Sequence, residues 1–530
     1  MPLVELRCFG RAAAFFTARD HRTRWDTKQP SFGNPPIETT ANPRAPSRQF
    51  AGVAVAIVLV CYLIGFAFTF PGVVTISDEA DYVGQAVAFA QGHSSLQRVD
   101  PQNMSVGVAP PSEYPAGTSG LMTPLVALWG WRAGFLLGVL SMAACILVLA
   151  LWLLSEGLSP LFALVFLAYP PAMVLSRCAM SDVPSAALVC CGLFLFWHGK
   201  GRHWRWWAAS GFLAGASILL RETNPLVFVF LFLGALIRRE AHGWALVSGG
   251  LAGLAIRAAT SYALFGDLLF FKTTYPGFSL TSAGSNLGLY ATALLVLIPG
   301  GLFFGLTYSG LRRWDVRLTL ASYFLVYLFY DYNAAQSGGL KQWVLAGRFF
   351  VPLVPLLAFS MAHSVPKLCN AAFPHWAVPA RATSFGISML VVCAGSLSTA
   401  VHWLHFAWSN SQQTAVHALH EGTNANAPVI TNVEATGKFF CSFYSADFGP
   451  RAIIDYRTLS IVETSKLLDR YAVLRVAVLL RGDSEHWKTR SVETQAWLSE
   501  LSLSFGLRQV RSIETDTGEK VLIYELSSKT

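Results

Sequence analysis

Residues 51–82 read AGVAVAIVLVCYLIGFAFTFPGVVTISDEADY, and the contrast between the two halves of this stretch decides the fold. From Ala51 to Phe70 there are 20 residues without a charge, which is the length of helix that crosses a hydrocarbon layer. The run is too long and too far from Met1 to be a cleaved signal sequence, so it reads as a permanent first span. Immediately beyond it, Asp78, Glu79 and Asp81 place three carboxylates within four residues at the membrane surface.

The rest of the chain agrees with that opening. Its 530 residues are 53% hydrophobic and only 13% charged, where a soluble domain carries about a quarter charged residues. A soluble globule is excluded. Further apolar runs lie near 133–154, 158–176, 183–198, 206–220, 224–237, 242–265, 287–310, 317–330, 349–365 and 384–404, giving about 11 transmembrane helices. The net charge of +9 is not a nucleic-acid signature, because the cations fall mainly in alternate loops. Taking the first helix as entering from the cytoplasm puts 18 Lys and Arg inside and 7 outside, the bias that orients inner-membrane proteins. The expected architecture is a polytopic α-helical membrane protein. Residues 1–49 form a disordered basic cytoplasmic tail and 50–408 the transmembrane body. A large first periplasmic loop covers 71–132, and 409–530 form a small periplasmic α/β domain. In that last part, strands are expected at Pro428–Thr431, Ala452–Tyr456, Val476–Leu480 and Lys520–Leu526, with helices at Ser460–Tyr471 and Glu493–Leu503.

Nine cysteines fall mostly within spans, where they pack as small apolar residues. Cys178 and Cys441 are both expected outside, which allows one bridge. No Cys-x-x-Cys or His-Glu-x-x-His spacing announces a tight metal site, and no glycine-rich phosphate fingerprint follows a strand, so no cofactor is assigned.

Four outward elements concentrate the charge. Asp78 and Glu79 follow the first span; Ser77 or Asp78 also suits a helix N-cap. Asp182 opens the span at 183, Arg221-Glu222-Thr223 occupies the next outer turn, and Gly347-Arg348 opens the span at 349. Singly, each is explained by capping or interfacial snorkelling. Together they describe an anion site beside a general base, with arginine forks for a phosphate and a carboxylate to activate an acceptor. Asp78 and Asp182 are also the residues that would share a divalent metal. Arg257 lies some fourteen residues into its span, where an arginine lines a cavity or pairs with an acid; a groove facing water or lipid phosphate is the favoured reading. His93, His402 and His405 read as interfacial.

These motifs are similar to those of the membrane-integral GT-C glycosyltransferases, which use polyprenyl-phosphate sugars and include protein O-mannosyltransferases and the aminoarabinose transferases of lipid A. The resemblance covers about residues 50–365. It rests on Asp78-Glu79 followed by Tyr82 and Gly92, on Glu113-Tyr114-Pro115, on Met180-Ser181-Asp182-Val183-Pro184, and on Gly347-Arg348 with Pro352 and Pro355. It implies Asp78, Glu79 and Asp182 as catalytic carboxylates. It implies Tyr82, Glu113, Tyr114, Arg221, Lys272 and Arg348 as substrate-binding residues, with Arg348 for the donor phosphate. Where the aminoarabinose transferases follow their first-loop Glu with a lysine, this chain has Tyr114. Lys272, with Tyr275 in the loop 266–278, is either the replacement cation or part of an interfacial belt. The implied function is transfer of a sugar from a polyprenyl-phosphate carrier to a lipid, glycan or protein acceptor at the periplasmic face of a bacterial inner membrane. A transporter or lipid flippase is the alternative, and a membrane scaffold a third reading. A transporter places its charges near the midplane in two related halves, whereas here the acids gather on one side.

Overall fold

The computed structural model describes residues 45–100, 104–199, 203–270, 277–307, 314–330, 339–372, 379–423, 427–433, 438–482 and 485–529. The expected tail, Lys272 and Tyr275 lie outside the described residues, the tail except for its last few positions. Ser47–Thr530 form one compact unit.

Helix α1 (Ala45–Phe68) carries the opening apolar run. Val55, Leu59, Tyr62 and Phe66 recur at helical spacing and are buried against the body. On the other face Val53, Ile57, Val60, Ile64 and Phe68 are each more than half exposed. A helix satisfies its own backbone, so an outward stripe of this kind suits lipid. Among the described residues, four helical runs are long and apolar enough to cross a membrane by length and composition: Phe50–Phe68, Trp131–Ser155, Leu280–Leu297 and Leu340–Lys367.

The eleven expected spans are not eleven continuous helices. The run at 158–176 is broken into Leu164–Ala168 and Pro170–Leu175 at the Pro170-Pro171 pair, because proline lacks the N–H and crowds the preceding turn. The run at 287–310 is split after Leu297, where Pro299 and Gly300, at φ +76°, turn the chain before Gly301–Thr307.

The first outer loop is structured. It holds α2 (Ser77–Ala90), an antiparallel hairpin of β1 (Leu96–Val99) and β2 (Val106–Ala109), and α3 (Gly117–Trp129). A 3₁₀ turn at Trp131–Phe135 leads into α4 (Leu136–Ser155). Gly138 lies so close to the Ser176 carbonyl that a Cβ would overlap it, which lets the loop 176–181 settle onto α4. That loop delivers the chain into α5 (Asp182–His198). Then follow α6 (Trp204–Ala216), α7 (Leu226–Ile237), α8 (Gly243–Phe265), α9 (Ala283–Leu297), α10 (Trp314–Leu328), α11 (Gly339–Gly347) and α12 (Val354–Ala372).

The composition changes near Trp408, but the backbone does not. Helix α13 runs unbroken from Pro379 to Glu421, since between Gly395 and Gly422 no glycine or proline interrupts it. Its last turns bury Ala415, Val416, Ala418 and Leu419. Residues beyond it form a five-stranded sheet in the order β4-β3-β5-β7-β6. Its strands are β3 (Val429–Thr431), β4 (Ile453–Asp455), β5 (Val473–Leu480), β6 (Gly506–Glu514) and β7 (Lys520–Ser527). β3 pairs in parallel with β4 and β5, while β7 is antiparallel to β5 and β6. α14 (Ile461–Tyr471), capped by Ser460 and Glu463, and α15 (Glu485–Ser504) cover it. β6 was not expected from the sequence. It is an edge strand whose residues are mostly exposed and include Arg508 and Arg511, so it lacks an apolar signal.

Candidate active site

The stretch Val73–Ile76 enters α2 with Ile76 as N-cap, so Ser77 and Asp78 both lie inside the first turn rather than capping it. Asp78 therefore projects from the positive end of the helix, where a carboxylate is electrostatically at ease. Its Oδ2 accepts a hydrogen bond from Nη2 of Arg348 at 3.4 Å, and the two side chains remain 22% and 15% exposed. Arg348 opens a 3₁₀ turn between α11 and α12. The carbonyls on either side of it are held: Tyr169 donates to Gly347 O at 2.7 Å and Tyr323 to Phe349 O at 3.0 Å.

A second acid–arginine pair faces the same space. Asp182, the first residue of α5, pairs with Nη1 of Arg221. The turn carrying Arg221 is tied to α5 by Ser185, which donates to Asn224 Oδ1 at 2.7 Å, while Asn224 donates to Ser217 O at 2.9 Å. The other oxygen of Asp182, Oδ2, is buried and has no hydrogen-bond partner among the described residues. The Phe349 ring lies between the two guanidinium groups, with Cζ of Arg348 at 5.4 Å and of Arg221 at 5.8 Å from its centroid.

These groups line one cavity of about 460 Å³. Asp78, Asp182, Arg221, Arg348, Tyr82 and Tyr114 are all on its wall. Tyr82 and Tyr114 pack with ring centroids 5.1 Å apart. Burial, and then the Asp78 carboxylate with which it hydrogen-bonds, push the Tyr114 hydroxyl well above its usual range, so it stays a neutral donor beside Asp78. The far wall holds Glu222, Thr223, Tyr327 and Tyr330, with Thr223 Oγ1 2.8 Å from the Tyr327 hydroxyl. Glu222 and Thr223 were visible in the outer turn, but Tyr327 was not singled out. It lies one turn beyond Tyr323 on α10, hidden within an apolar run.

Glu79 is elsewhere. It is fully buried behind the cavity, where it accepts hydrogen bonds from Thr75 N (2.6 Å), Thr75 Oγ1 (2.9 Å), Ile76 N (2.8 Å) and Ala179 N (2.7 Å). Burial pushes its carboxyl up, against the pull of those donors, which favour the charged form. With its lone pairs committed, it ties the start of α2 to the loop before Asp182. Glu113, half-buried, precedes Tyr114 without reaching the cavity wall. Asp81 lines a smaller cavity of about 160 Å³ together with Arg98 and Arg451.

Three further expectations find other places. Arg257 pairs with Glu222 at 3.8 Å and donates to Phe270 O at 2.8 Å, so it takes the acid rather than the open groove. His402 and His405 are engaged inside the protein: His402 Nε2 lies 3.2 Å from Thr69 Oγ1, and Arg177, itself buried, donates to His405 Nδ1 at 3.0 Å. Cys178 and Cys441 are both buried thiols not bridged to each other, so the bridge that the sequence allowed is not formed.

No protein-family model matches the chain, and no curated protein matches it in sequence. Solved structures share its fold, among them two states of one protein. ArnT from Cupriavidus metallidurans bound to undecaprenyl phosphate aligns at 14% identity over 90% of this chain and 98% of that one, with a TM-score of 0.55. The apo state of the same protein gives 14%, 90%, 98% and 0.52. At that identity the likeness is one of fold.

Proposed function

We propose that this chain is a membrane glycosyltransferase that moves a sugar from a polyprenyl-phosphate carrier to an acceptor hydroxyl at the periplasmic face. One observation carries the reading: a single cavity holds two acid–arginine pairs, Asp78–Arg348 and Asp182–Arg221, on an aromatic floor. A soluble nucleotide sugar is not needed, since a polyprenyl carrier resides in the bilayer, and the fold is shared with a protein bound to undecaprenyl phosphate.

In this reading the donor phosphate draws Arg348 away from Asp78, as a phosphate offers the guanidinium a better fork than a single 3.4 Å contact. Asp78 is then free to take the proton of the acceptor hydroxyl. The acceptor oxygen forms its bond to the anomeric carbon as the bond from that carbon to the phosphate oxygen breaks. Polyprenyl phosphate leaves with the bonding pair, and its added charge is held by Arg348. Tyr114, kept neutral, donates a hydrogen bond at the same end of the cavity. Asp182 fixes Arg221, and its unpartnered Oδ2 is an acceptor for a substrate hydroxyl. The far wall of Glu222, Thr223 and Tyr327 offers acceptors and donors to the sugar.

A divalent metal shared by Asp78 and Asp182 fits this donor set poorly. Each carboxylate already faces a guanidinium, and a cation between them would add positive charge where two arginines stand. Such metals also take several oxygen ligands, and no group of three or more His, Cys, Asp or Glu side chains converges among the described residues.

The reading includes a topology: the amino end cytoplasmic, and the cavity and carboxyl-terminal sheet periplasmic, in a bacterial inner membrane. Purified protein in proteoliposomes is to be given radiolabelled polyprenyl-phosphate sugars and a panel of lipid, glycan and peptide acceptors. Label moving to an acceptor, with release of polyprenyl phosphate, is the expected result. A reporter fused after Trp408 that works only in the cytoplasm would contradict the placement, and translocation of the intact carrier without transfer would favour a flippase.

A further inference from the structure

We infer that Lys438 and Tyr444, from the carboxyl-terminal segment, are positioning residues for the Asp78 loop. The inference rests on the reading of Asp78 as the base.

The stretch Val73–Ile76 sets where Asp78 points, and its backbone must find partners because Val73, Val74 and Thr75 are buried. Two of its N–H groups, at Thr75 and Ile76, are taken by Glu79 from within the same loop. Two further groups are held from more than 360 residues away in sequence. Val74 N donates to the Tyr444 hydroxyl at 3.1 Å, and Lys438 Nζ donates to Thr75 O at 3.0 Å.

Both outside partners are themselves fixed. The Lys438 ammonium lies 4.6 Å from the Trp408 ring centroid and 5.2 Å from that of Phe439, and aromatic faces of this kind hold a cation in place. Trp408 lies on α13, so the lysine draws the long helix into the same contact. Tyr444 is fully buried and packs edge-on to Trp131 at 5.1 Å. Asp447, three residues on, accepts from Trp131 Nε1 at 3.0 Å and pairs with Arg132 at 3.1 Å. The segment 438–448 is thus fastened to the head of α4 and presses on the loop from outside. The distance between Asp78 and Arg348 is set on one side by α11 and α12 and on the other by this clamp. A displacement of about 1 Å at a reacting group costs on the order of 10²-fold in rate.

The test is a set of variants assayed for sugar transfer in proteoliposomes across donor concentrations. Lys438→Met keeps the stem and removes the donor to Thr75 O. Its kcat should fall roughly 10- to 100-fold while the KM for donor changes little. Lys438→Arg, which retains a cation for Trp408 and a donor for the carbonyl, should recover most of the loss. Tyr444→Phe removes one oxygen from a packed ring and should lower kcat by a smaller factor; it carries the test if Lys438→Met does not fold. Asp78→Asn is run beside them. An inactive Asp78→Asn with wild-type kcat in Lys438→Met and Tyr444→Phe overturns the clamp alone. Arginine no better than methionine at 438 also overturns it. A fully active Asp78→Asn defeats the reading of the site on which the clamp depends.

Discussion

The two faces of the first turn of α2 hold neighbouring carboxylates in opposite situations. On the cavity side, Asp78 is partly exposed and shares one 3.4 Å contact with Arg348. Behind it, Glu79 is sealed and saturated by four donors. A loosely paired acid can exchange partners and protons; a saturated one can only hold structure. The same contrast separates Asp182, whose buried Oδ2 has no hydrogen-bond partner among the described residues, from the bonded network of Ser185, Asn224 and Ser217 that positions its partner Arg221. Function is read here from what is left unsatisfied, and architecture from what is not.

The largest expected break in that comparison comes from exchanging the two acids for their amides. Asp78→Asn should lose about 10²–10⁴ of the turnover, the worth of general-base assistance, with no change in melting temperature. Glu79→Gln should do the reverse. The amide turns an NH₂ toward backbone donors, and a buried donor left unmet costs roughly 1–3 kcal/mol, so thermal melting in detergent should drop while the residual folded fraction transfers sugar. A Glu79→Gln protein of normal stability and no activity would return Glu79 to the catalytic role implied by the sequence resemblance.

A smaller effect sharpens the comparison at the clamp. His420, near the end of α13, is buried, and its Nε2 donates to Phe439 O at 2.9 Å. Burial, with Arg451 and His417 nearby, pushes its pKa down to about 4. The unfolded chain holds that proton up to about pH 6.5, so the histidine's contribution is complete above 6.5 and is lost as pH falls toward 4. Melting temperature should therefore decline across that window, by the equivalent of on the order of 2–3 kcal/mol, and His420→Gln should flatten the decline. An unchanged slope in the variant would assign the acid sensitivity to other groups.

How much of this was legible follows from what a sequence can encode locally. Asp78, Asp182, Arg221 and Arg348 stood out because charges are scarce in an apolar chain, and their ordering along it put them at one end of the helices. Which face of α2 each acid takes was not legible. Successive residues on a helix differ by about 100°, and only the placement of Ala179 decides that Glu79 turns inward. Arg177 is buried, with Thr69 O accepting from Nε and Nη2 and His405 accepting from Nη1. Its partners are 108 and 228 residues away in sequence, beyond any local pattern. Tyr327 was hidden because its run is apolar, and no local pattern marks Lys438. The boundary drawn at Trp408 followed composition, whereas helix α13 runs through it, since no glycine or proline lies between Gly395 and Gly422.

The central claim is that one cavity divides into a base for the acceptor and a cation for the donor phosphate. A donor titration of sugar transfer in proteoliposomes, comparing wild type, Asp78→Asn and Arg348→Ala, tests it most directly. Arg348→Ala loses a charge-assisted contact to phosphate and should raise the KM for donor by about 10- to 100-fold, with turnover recovering at excess donor. Asp78→Asn should stay slow at every donor concentration. If excess donor instead rescues Asp78→Asn while Arg348→Ala stays slow at saturation, the two roles are exchanged and the account is contradicted.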